Sequence, residues 1–415
     1  MNARPSHSKV WHPFTQHALA PEPPVIARGE GAWLVTEDGR RILDGISSWW
    51  VTAHGHNHPR IMAAIRAQTE RLDQVIFANF THQPAETLAA GLLEIAPPGL
   101  AHVFYSDSGS TSVEVALKMA LGFWHNTGKP RTKIIALEHA YHGDTIGTMA
   151  AGARGVFNAA YEPLLFEVAR LPFPAGRGCD TLAALEEAAK DAAALIVEPL
   201  LLGSGGMLMY DAEILRKMKA LCERHGTLFI ADEVLTGFGR TGTLFACEQA
   251  GITPDILCLA KGLTGGAMPL AATLATPAIF AAHYSEDRRK TFFHSSSFTA
   301  NPIACAAAVA NLAVWREEPV RARIAALGAM QEERLAPFRA DPRFENVRRL
   351  GTVAALDLKV SDPGYMAEMG PRLMAHFLSR NILLRPLGNT IYVLPPYCIT
   401  AAELDMIWSA IADCP

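Results

Sequence analysis

Paired cysteines and long apolar runs are missing from this sequence of 415 residues, and each absence excludes a class of protein. The seven cysteines never form a C-x-x-C pair, so the sequence predicts neither a zinc site nor a disulfide framework. No stretch reaches the roughly 18 uninterrupted apolar residues that span a membrane, and the first residues lack the apolar core of a signal peptide. We therefore expect a cytoplasmic protein with no membrane partner.

An excess of basic charge is also missing. The 37 basic and 41 acidic residues give a formal net charge of −4, which lacks the positive balance that nucleic acid binding requires. Half of the residues are hydrophobic, enough for two domains with a sizeable core. Small molecules are therefore the expected partners, and nucleic acid is not.

Strand-like runs alternate with helical ones through the middle of the chain. The runs at 102–106, 133–137, 194–198 and 228–232 are apolar and short, and helical patterns separate them. This alternation predicts an α/β fold with a mainly parallel sheet that helices cover on both faces. Functional residues then belong in the loops at the carboxyl ends of the strands.

The pattern differs at both ends of the chain. Residues 31–44 read as a hairpin with its turn at Asp38-Gly39, and polar helices with short strands follow residue 316. We predict a large cofactor-binding domain at 47–316. The segments 1–46 and 317–415 are predicted to form a smaller α+β domain together.

Lys261 is the most informative single residue. It follows the apolar run 256–260 and precedes small residues, and a lysine is rarely buried without a partner. Asp232 ends another apolar run. A lysine and an aspartate at two strand ends can serve pyridoxal phosphate, the amine through a Schiff base and the carboxylate at the pyridine nitrogen. The alternative is that Lys261 merely ends a strand in solvent.

Three further strand ends carry polar or aromatic residues. The segment 106–112 is rich in serine and contains Gly109, so it predicts either an anion site at a helix start or a simple N-cap. Tyr141 is a candidate to stack on the pyridine ring, or a packing residue. Glu198 is an acidic strand end or an exposed turn.

Two patterns suggest other chemistry. Gly237–Gly242 satisfies G-x-G-x-x-G, but the preceding carboxylates would repel a pyrophosphate, so we interpret it as a glycine-rich loop over the active site. His54, His56 and His58 could form a metal cluster, but no cysteine or carboxylate completes the ligand set. We interpret them as loop histidines and expect no metal.

Four blocks together resemble the class III pyridoxal-phosphate aminotransferases of fold type I. They are the segments 104–110, 141–144, 230–242 and 261–266, and the order and spacing match from about residue 11 to 400. The resemblance implies a large domain with a mainly parallel seven-stranded sheet plus a smaller α+β domain. It also implies pyridoxal 5'-phosphate as cofactor and a homodimer with active sites at the interface.

The resemblance assigns roles to individual residues. Lys261 forms the Schiff base, Asp232 meets the pyridine nitrogen and Tyr141 stacks on the ring. These three are the expected catalytic residues. The phosphate is bound by Gly109 and Ser110, with a loop of the partner subunit that aligns with Ser295, Ser296 and Ser297. Family members commonly have Gly-Pro-Thr in that loop, and this chain does not.

A narrower set of motifs resembles those members that use S-adenosylmethionine to aminate 8-amino-7-oxononanoate in biotin biosynthesis. The motifs are Trp11–Thr15, Ser47–Trp50, His54–His56 and Leu384–Pro386. Phenylalanine stands at 14, where many of those members have tyrosine. The expected substrate-binding residues are Phe14, Trp49, Trp50, Tyr141, Lys261, Ser295, Arg385 and Tyr392, with Arg385 binding a carboxylate.

Other activities remain open at this point. One alternative is a class III enzyme acting on an ω-amine such as ornithine or 4-aminobutyrate, and a second is a member that takes its amino group from lysine. A third is an intramolecular aminomutase of the same fold. A catalytically inactive binding protein is disfavoured because Lys261 and Asp232 are both present. The tryptophans at 49 and 50 favour a long apolar acceptor channel, or else they pack in the core.

Overall fold

A seven-stranded sheet forms the centre of the molecule in the computed structural model, which describes residues 8–414. Its strand order is β4-β12-β11-β10-β7-β5-β6. The strands are His102–Ser106 (β4), Lys133–Leu137 (β5), Ala169–Leu171 (β6), Ala192–Val197 (β7), Leu228–Asp232 (β10), Ile256–Leu259 (β11) and Ala271–Ala275 (β12). Strand β12 points in the direction opposite to the other six strands, which all run the same way. The predicted α/β class with a mainly parallel sheet is confirmed.

Three smaller sheets lie outside this centre. They contain Ile26–Glu30 (β1), Trp33–Thr36 (β2), Arg41–Asp44 (β3), Leu201–Leu202 (β8), Leu208–Met209 (β9), Phe344–Leu350 (β13), Val353–Leu358 (β14), Ile382–Leu383 (β15) and Thr390–Val393 (β16). The orders are β1-β2-β3-β15, β13-β14-β16 and β8-β9. Strand β15 pairs in parallel with β3, so the beginning of the chain joins a segment near its end.

Helices cover both faces of the central sheet. The helices of the described residues are Ser47–Trp50 (α1), Pro59–Thr69 (α2), Gln83–Ile95 (α3), Gly109–Asn126 (α4), Ile146–Ala151 (α5), Cys179–Ala188 (α6), Ala212–His225 (α7), Cys247–Ala250 (α8), Pro277–His283 (α9), Pro302–Glu317 (α10), Val320–Leu335 (α11), Met369–Ser379 (α12) and Ala401–Ala412 (α13). Of these, α11 packs against β13, β14 and α13, and α12 against β15. Short 3₁₀ turns occupy Ala159–Leu164, Lys261–Thr264, Arg288–Lys290 and Ala336–Arg339. No helix within residues 8–414 is long and apolar enough to cross a membrane.

The register of the central strands brings the two key strand ends together. Strand β10 lies between β7 and β11 and runs parallel to both, with Asp232 opposite Cys258. Every residue of β7, β10 and β11 is buried, as expected for strands that helices cover on both faces. Because β11 ends at Leu259, Lys261 emerges at the same sheet edge as Asp232.

Helix α10 connects this edge to the rest of the molecule. Its sequence is rich in alanine, and these small side chains let it pack closely against α2 and α3. It also contacts the 3₁₀ turn that contains Lys261. The helix therefore supports the turn from behind.

Candidate active site

A cavity of about 450 Å³ opens at the carboxyl edge of the central sheet. Asp232 and Lys261 lie in its wall, as expected for side chains at the ends of parallel strands. The other predicted site residues that line it are Gly109, Ser110, Tyr141, Phe14, Trp49, Trp50, Arg385 and Tyr392. Residues separated by more than 300 positions in the sequence thus share one cavity.

Asp232 is held by a buried histidine. Its Oδ2 lies 2.7 Å from Nδ1 of His142, and both side chains are almost fully buried. Its Oδ1 accepts the backbone N–H of Val234 at 3.2 Å. Since a carboxylate only accepts hydrogen bonds, Nδ1 of His142 carries the proton. Asp232 is thereby fixed in orientation. His142 carried no prediction from the sequence.

The Lys261 amine has a lowered pKa. Burial lowers the pKa to about 8, although the charges of Asp232 and Glu198 oppose that shift. Nζ lies 4.9 Å from the ring centre of Trp50. More of this amine is therefore neutral near neutral pH than of an ordinary lysine. The interpretation of Lys261 as a residue that merely ends a strand in solvent is wrong.

Glu198 is buried at the base of the cavity and joins two loops. Its Oε1 accepts the backbone N–H of Tyr141 at 3.0 Å, and its Oε2 accepts that of Gly203 at 3.0 Å. Burial raises the pKa of this carboxyl to about 7. The alternative of an exposed turn is therefore wrong, because both oxygens bind backbone groups inside the protein.

Helix α4 begins at the cavity. Two alternatives were predicted for this segment, an N-cap and an anion site at a helix start, and its structure is compatible with both. Ser108 is its N-cap and forms a capping box with Thr111. The first N–H groups of a helix still lack intrahelical partners, and Gly109 and Ser110 line the cavity. A Cβ added at Gly109 would lie 2.7 Å from Cγ1 of Val234, so glycine is required there. The helix start is therefore capped by Ser108 and still presents N–H groups at the cavity.

Tyr141 lies in the cavity wall beside these groups. Burial raises its pKa well above the ordinary tyrosine value, so the hydroxyl stays protonated. Its backbone is fixed by Glu198, and the next loop residue, His142, holds Asp232. The loop after β5 therefore contacts both carboxylates.

Aromatic side chains and one arginine form the opposite end of the cavity. Cζ of Arg385 lies 5.5 Å from the ring centre of Trp49, and its Nη2 donates to the carbonyl of Phe14 at 3.3 Å. No ion pair joins Arg385 to a carboxylate within residues 8–414. The Phe14 ring lies 5.6 Å from that of Trp49. A planar cation with further N–H donors thus lies over the Trp49 ring.

Two residues that the sequence did not reveal complete this end. Phe157 lies 6.0 Å from Phe14, ring centre to ring centre, and 4.6 Å from Tyr365. Both Phe157 and Tyr365 line the cavity. They belong to irregular loops, where a single aromatic residue carries no periodic signal.

Trp50 and Tyr392 lie deeper in the cavity wall. Nε1 of Trp50 donates to the hydroxyl of Tyr392 at 3.0 Å, and both side chains are buried. The preceding turn has positive φ at Ser47 and Ser48, and Asp44 stabilises it by accepting the N–H of Ser48 at 2.7 Å. Trp49 therefore faces the open end while Trp50 packs beside Lys261.

The predicted partner loop does not line the cavity of its own chain. Ser295 and Ser297 are exposed, and the carbonyl of Ser297 accepts a hydrogen bond from Gln74 at 2.7 Å. The Ser296 hydroxyl donates to the carboxylate of Asp107, which does line the cavity. The loop thus lies next to the start of α4 without entering the site.

The glycine-rich loop Gly237–Gly242 is buried away from the cavity. Arg240 donates to the carbonyl of Pro395 at 3.0 Å and to that of Trp50 at 3.4 Å. Gly239 has φ 94°, and a Cβ there would lie 2.8 Å from the Trp315 ring. The prediction of a loop over the active site is wrong, because close packing against distant segments accounts for these glycines.

Each of the three neighbouring histidines has a separate protein partner. His54 bonds to Asn311 at 2.8 Å, His56 to Asp44 at 2.9 Å, and His58 pairs with Glu318 at 3.1 Å. No group of side chains suited to a metal ion occurs in the described part of the chain. These histidines connect the 54–58 segment to helix α10, to strand β3 and to the C-cap residue of α10.

A strand-end lysine and aspartate facing a helix start define the site of a fold type I aminotransferase, and the sequence agrees. The family model "Aminotransferase class-III" matches residues 16–414. The chain belongs to this family and is an aminotransferase.

Its relatives are more specific. The chain is 47% identical to the adenosylmethionine-8-amino-7-oxononanoate aminotransferase of Synechococcus elongatus, over 99% of each chain. It is 41% identical to the enzyme of that name from Geobacter sulfurreducens, over 96% of this chain and 93% of the other.

Solved structures agree with this similarity. The structure of adenosylmethionine-8-amino-7-oxononanoate aminotransferase from Methanocaldococcus jannaschii has a TM-score of 0.93 and 33% identity, covering 98% of this chain and 97% of that one. A PLP-bound amine transaminase from an uncultivated Pseudomonas species has a TM-score of 0.92 and 35% identity, with 99% and 100% coverage. The family and this neighbour imply pyridoxal phosphate as the cofactor.

Proposed function

We propose that this aminotransferase moves an amino group from S-adenosylmethionine to 8-amino-7-oxononanoate, giving 7,8-diaminononanoate in biotin biosynthesis. The observation that carries the proposal is Arg385, which has no acidic partner among the described residues and stacks on Trp49. The acceptor ends in a carboxylate on an apolar chain, and a guanidinium beside an aromatic ring suits both parts. The names of the relatives support the same substrates.

The residues at the inner end fit pyridoxal phosphate. Lys261 would attach the aldehyde, Asp232 would meet the ring nitrogen and Tyr141 would lie against the ring. Gly109 and Ser110 would bind the phosphate, since they begin helix α4 in the cavity wall and helix starts favour anions. When bound, this group supplies an electron sink for charge that develops on the substrate carbon.

The protein's own groups supply the proton transfers. We assign Lys261 Nζ as the base that takes the proton from the amine-bearing carbon and returns it, because its pKa of about 8 suits both directions near neutral pH. The Asp232 carboxylate would hold a proton on the ring nitrogen, and His142 keeps that carboxylate in place. Trp50 packs beside the amine and limits the access of water.

Attachment of the cofactor has a direct test. Borohydride reduction of the loaded protein, digestion and mass spectrometry should find the pyridoxyl group on Lys261. A K261A variant should retain no reducible linkage. A pyridoxyl adduct on another lysine of the unaltered protein would refute the assignment.

The amino donor is tested by single half-reactions. Mixing the loaded protein with S-adenosylmethionine alone should remove the pyridoxal absorbance, and later addition of 8-amino-7-oxononanoate should restore it. Lysine, ornithine and 4-aminobutyrate serve as matched amines. Conversion by one of these but not by S-adenosylmethionine would replace the proposal with the corresponding alternative. Formation of product from one substrate without a donor would indicate an aminomutase.

We also propose a homodimer in which Ser296 and Ser297 approach the partner's phosphate site. Large apolar side chains near this loop are exposed in the single chain, namely Ile76, Phe80, Phe293 and Phe298. Such a patch favours a protein interface. Sedimentation should give a dimer, and S297A should weaken cofactor retention without changing donor preference. A fully active monomer would contradict this arrangement.

The cytoplasm is the proposed compartment. All seven cysteines are free, and Cys222, Cys247, Cys258 and Cys305 are buried as small apolar side chains. Unpaired cysteines are usual where thiols stay reduced. Fractionation of cells producing the chain should recover the activity with cytoplasmic marker enzymes.

A further inference from the structure

Asn311 on helix α10 contacts the turn that contains Lys261. Its side chain is completely buried, and its Nδ2 donates to the carbonyl of Gly262 at 2.9 Å and to that of Leu263 at 3.0 Å. These carbonyls belong to the two residues that directly follow Lys261. A single amide therefore bridges the helix and the turn.

His54 fixes the orientation of this amide. Carbonyl oxygens only accept hydrogen bonds, so Nδ2 must face the turn and Oδ1 must face His54. Nε2 of His54 lies 2.8 Å from Oδ1 and must donate its proton there. Burial lowers the pKa of His54 to about 4, so the ring stays neutral at neutral pH. In this hydrogen bond Nε2 of His54 is therefore the donor and Oδ1 of Asn311 the acceptor.

The turn itself has an unfavourable backbone. Lys261 has φ 42°, in the left-handed region that a residue with a side chain rarely adopts. A Cβ at Gly262 would lie 2.7 Å from Cβ of Phe238, and one at Gly265 would lie 3.1 Å from Oδ1 of Asn311. The turn is thus packed between Phe238 and Asn311. Strained backbone persists only where its surroundings hold it.

We propose that Asn311 is a positioning residue for Lys261, with His54 as the group that orients it. It contacts neither substrate nor cofactor and acts through the backbone of the turn, so that Nζ stays aimed into the cavity. The inference rests on the proposed role of Lys261 as the cofactor-binding amine. It also gives His54 a function that needs no metal ion.

The test measures how fast the full-length protein, stripped of cofactor, captures added pyridoxal phosphate. N311L keeps the size of the side chain but removes both hydrogen bonds to the turn. Capture should slow by about tenfold or more, the scale of a small misplacement of a reacting group. The absorbance maximum of the bound cofactor should shift, and kcat should fall while the donor KM stays within about twofold.

The matched control is L312A, at the next position of the same helix. Leu312 is buried near Gly91 of helix α3, and its side chain forms no hydrogen bond to the lysine turn. This variant should lower the melting temperature but leave the capture rate within about twofold of the unaltered protein. If N311L does not fold, N311D replaces it and should slow capture similarly, because a carboxylate would face two carbonyls.

A double-mutant cycle tests the part played by His54. H54L should slow capture less than N311L, and it should have no further effect in the N311L background. Capture by N311L at the rate of the unaltered protein would overturn the inference, and additive effects would overturn the role of His54. A reduced adduct away from Lys261 in the unaltered protein would instead refute the proposed role of Lys261, whatever the variants do.

Discussion

The two ends of the cavity are built differently. At the inner end, Asp232, His142 and Glu198 are buried, and the oxygens of the two carboxylates accept hydrogen bonds from groups of the protein. At the outer end, Phe14 and Trp49 are each 44% exposed, and one hydrogen bond of 3.3 Å ties Arg385 to the amino-terminal segment. The inner end is therefore held by buried hydrogen bonds, whereas the outer end consists of half-exposed side chains from separate loops. We infer that reaction type depends on the first and substrate choice on the second.

The largest effect is expected from a substitution at the inner end of the cavity. D232N should bind the cofactor but slow each half-reaction by at least about a hundredfold, the usual scale for removing one electrostatic stabiliser. Single-turnover absorbance measurements check this. The control is D255N, the same substitution at the other end of the strand. Asp255 lies near the amino end of β10, where it accepts the N–H of Phe229 at 2.8 Å. Half-reaction rates of D232N within a few-fold of the unaltered protein would refute the role.

The next largest effect is expected from a substitution at the outer end of the cavity. R385L should raise the KM for 8-amino-7-oxononanoate by roughly tenfold to a hundredfold, from the loss of a charged hydrogen bond. Its kcat should change much less, since the inner groups stay in place. R385K keeps the charge but loses the planar fork, so its KM should be intermediate. Steady-state kinetics with both substrates varied would show this order, and an unchanged KM in R385L would exclude the carboxylate contact.

The pH dependence of cofactor capture sharpens the description of the inner end. Burial disfavours the charged amine, so the pKa of Lys261 falls to about 8 and the neutral, reactive form dominates above that pH. The capture rate should rise by about tenfold per pH unit below 8 and level off above it. Stopped-flow absorbance from pH 6 to 10 measures this. A rate that still rises steeply at pH 10 would show an ordinary lysine.

The smallest effect concerns the exposed ring at the outer end. F14Y should lower the KM for S-adenosylmethionine by roughly twofold to tenfold, the value of one added hydrogen bond of about 0.5–1.5 kcal/mol. Stacking depends on the face of the ring, so F14A should raise the same KM. Initial-rate measurements compare the three proteins. A KM in F14A equal to that of the unaltered protein would show that the ring does not contact the donor.

The same contrast explains what the sequence could predict. The buried strands of the central sheet have a strong local signal, so the fold and the placement of Lys261 and Asp232 at one sheet edge followed from it. The surroundings of Glu198 are made by Tyr141 and Gly203 from other loops, and no local pattern encodes them. The glycine-rich loop was misread because its packing partners lie as far away as Pro395.

Some predictions stay predictions. The domain boundaries after residues 46 and 316 are one example, although β3 and β15 show how the two terminal segments meet. The roles of the three serines at 295–297 are another, because they concern a second subunit. Phe157 and Tyr365 could not be found from sequence, since isolated aromatic residues in loops are usually packing residues.

The pairing of β15 with β3 has a consequence for the newborn chain. Arg41–Asp44 leaves the ribosome more than 300 residues ahead of its parallel neighbour, Ile382–Leu383. At typical elongation rates the exposed edge of β3 waits on the order of tens of seconds for its partner. An unpaired strand edge invites association with other chains. Slow translation or truncation before residue 382 should therefore promote aggregation, even where the central sheet has already folded.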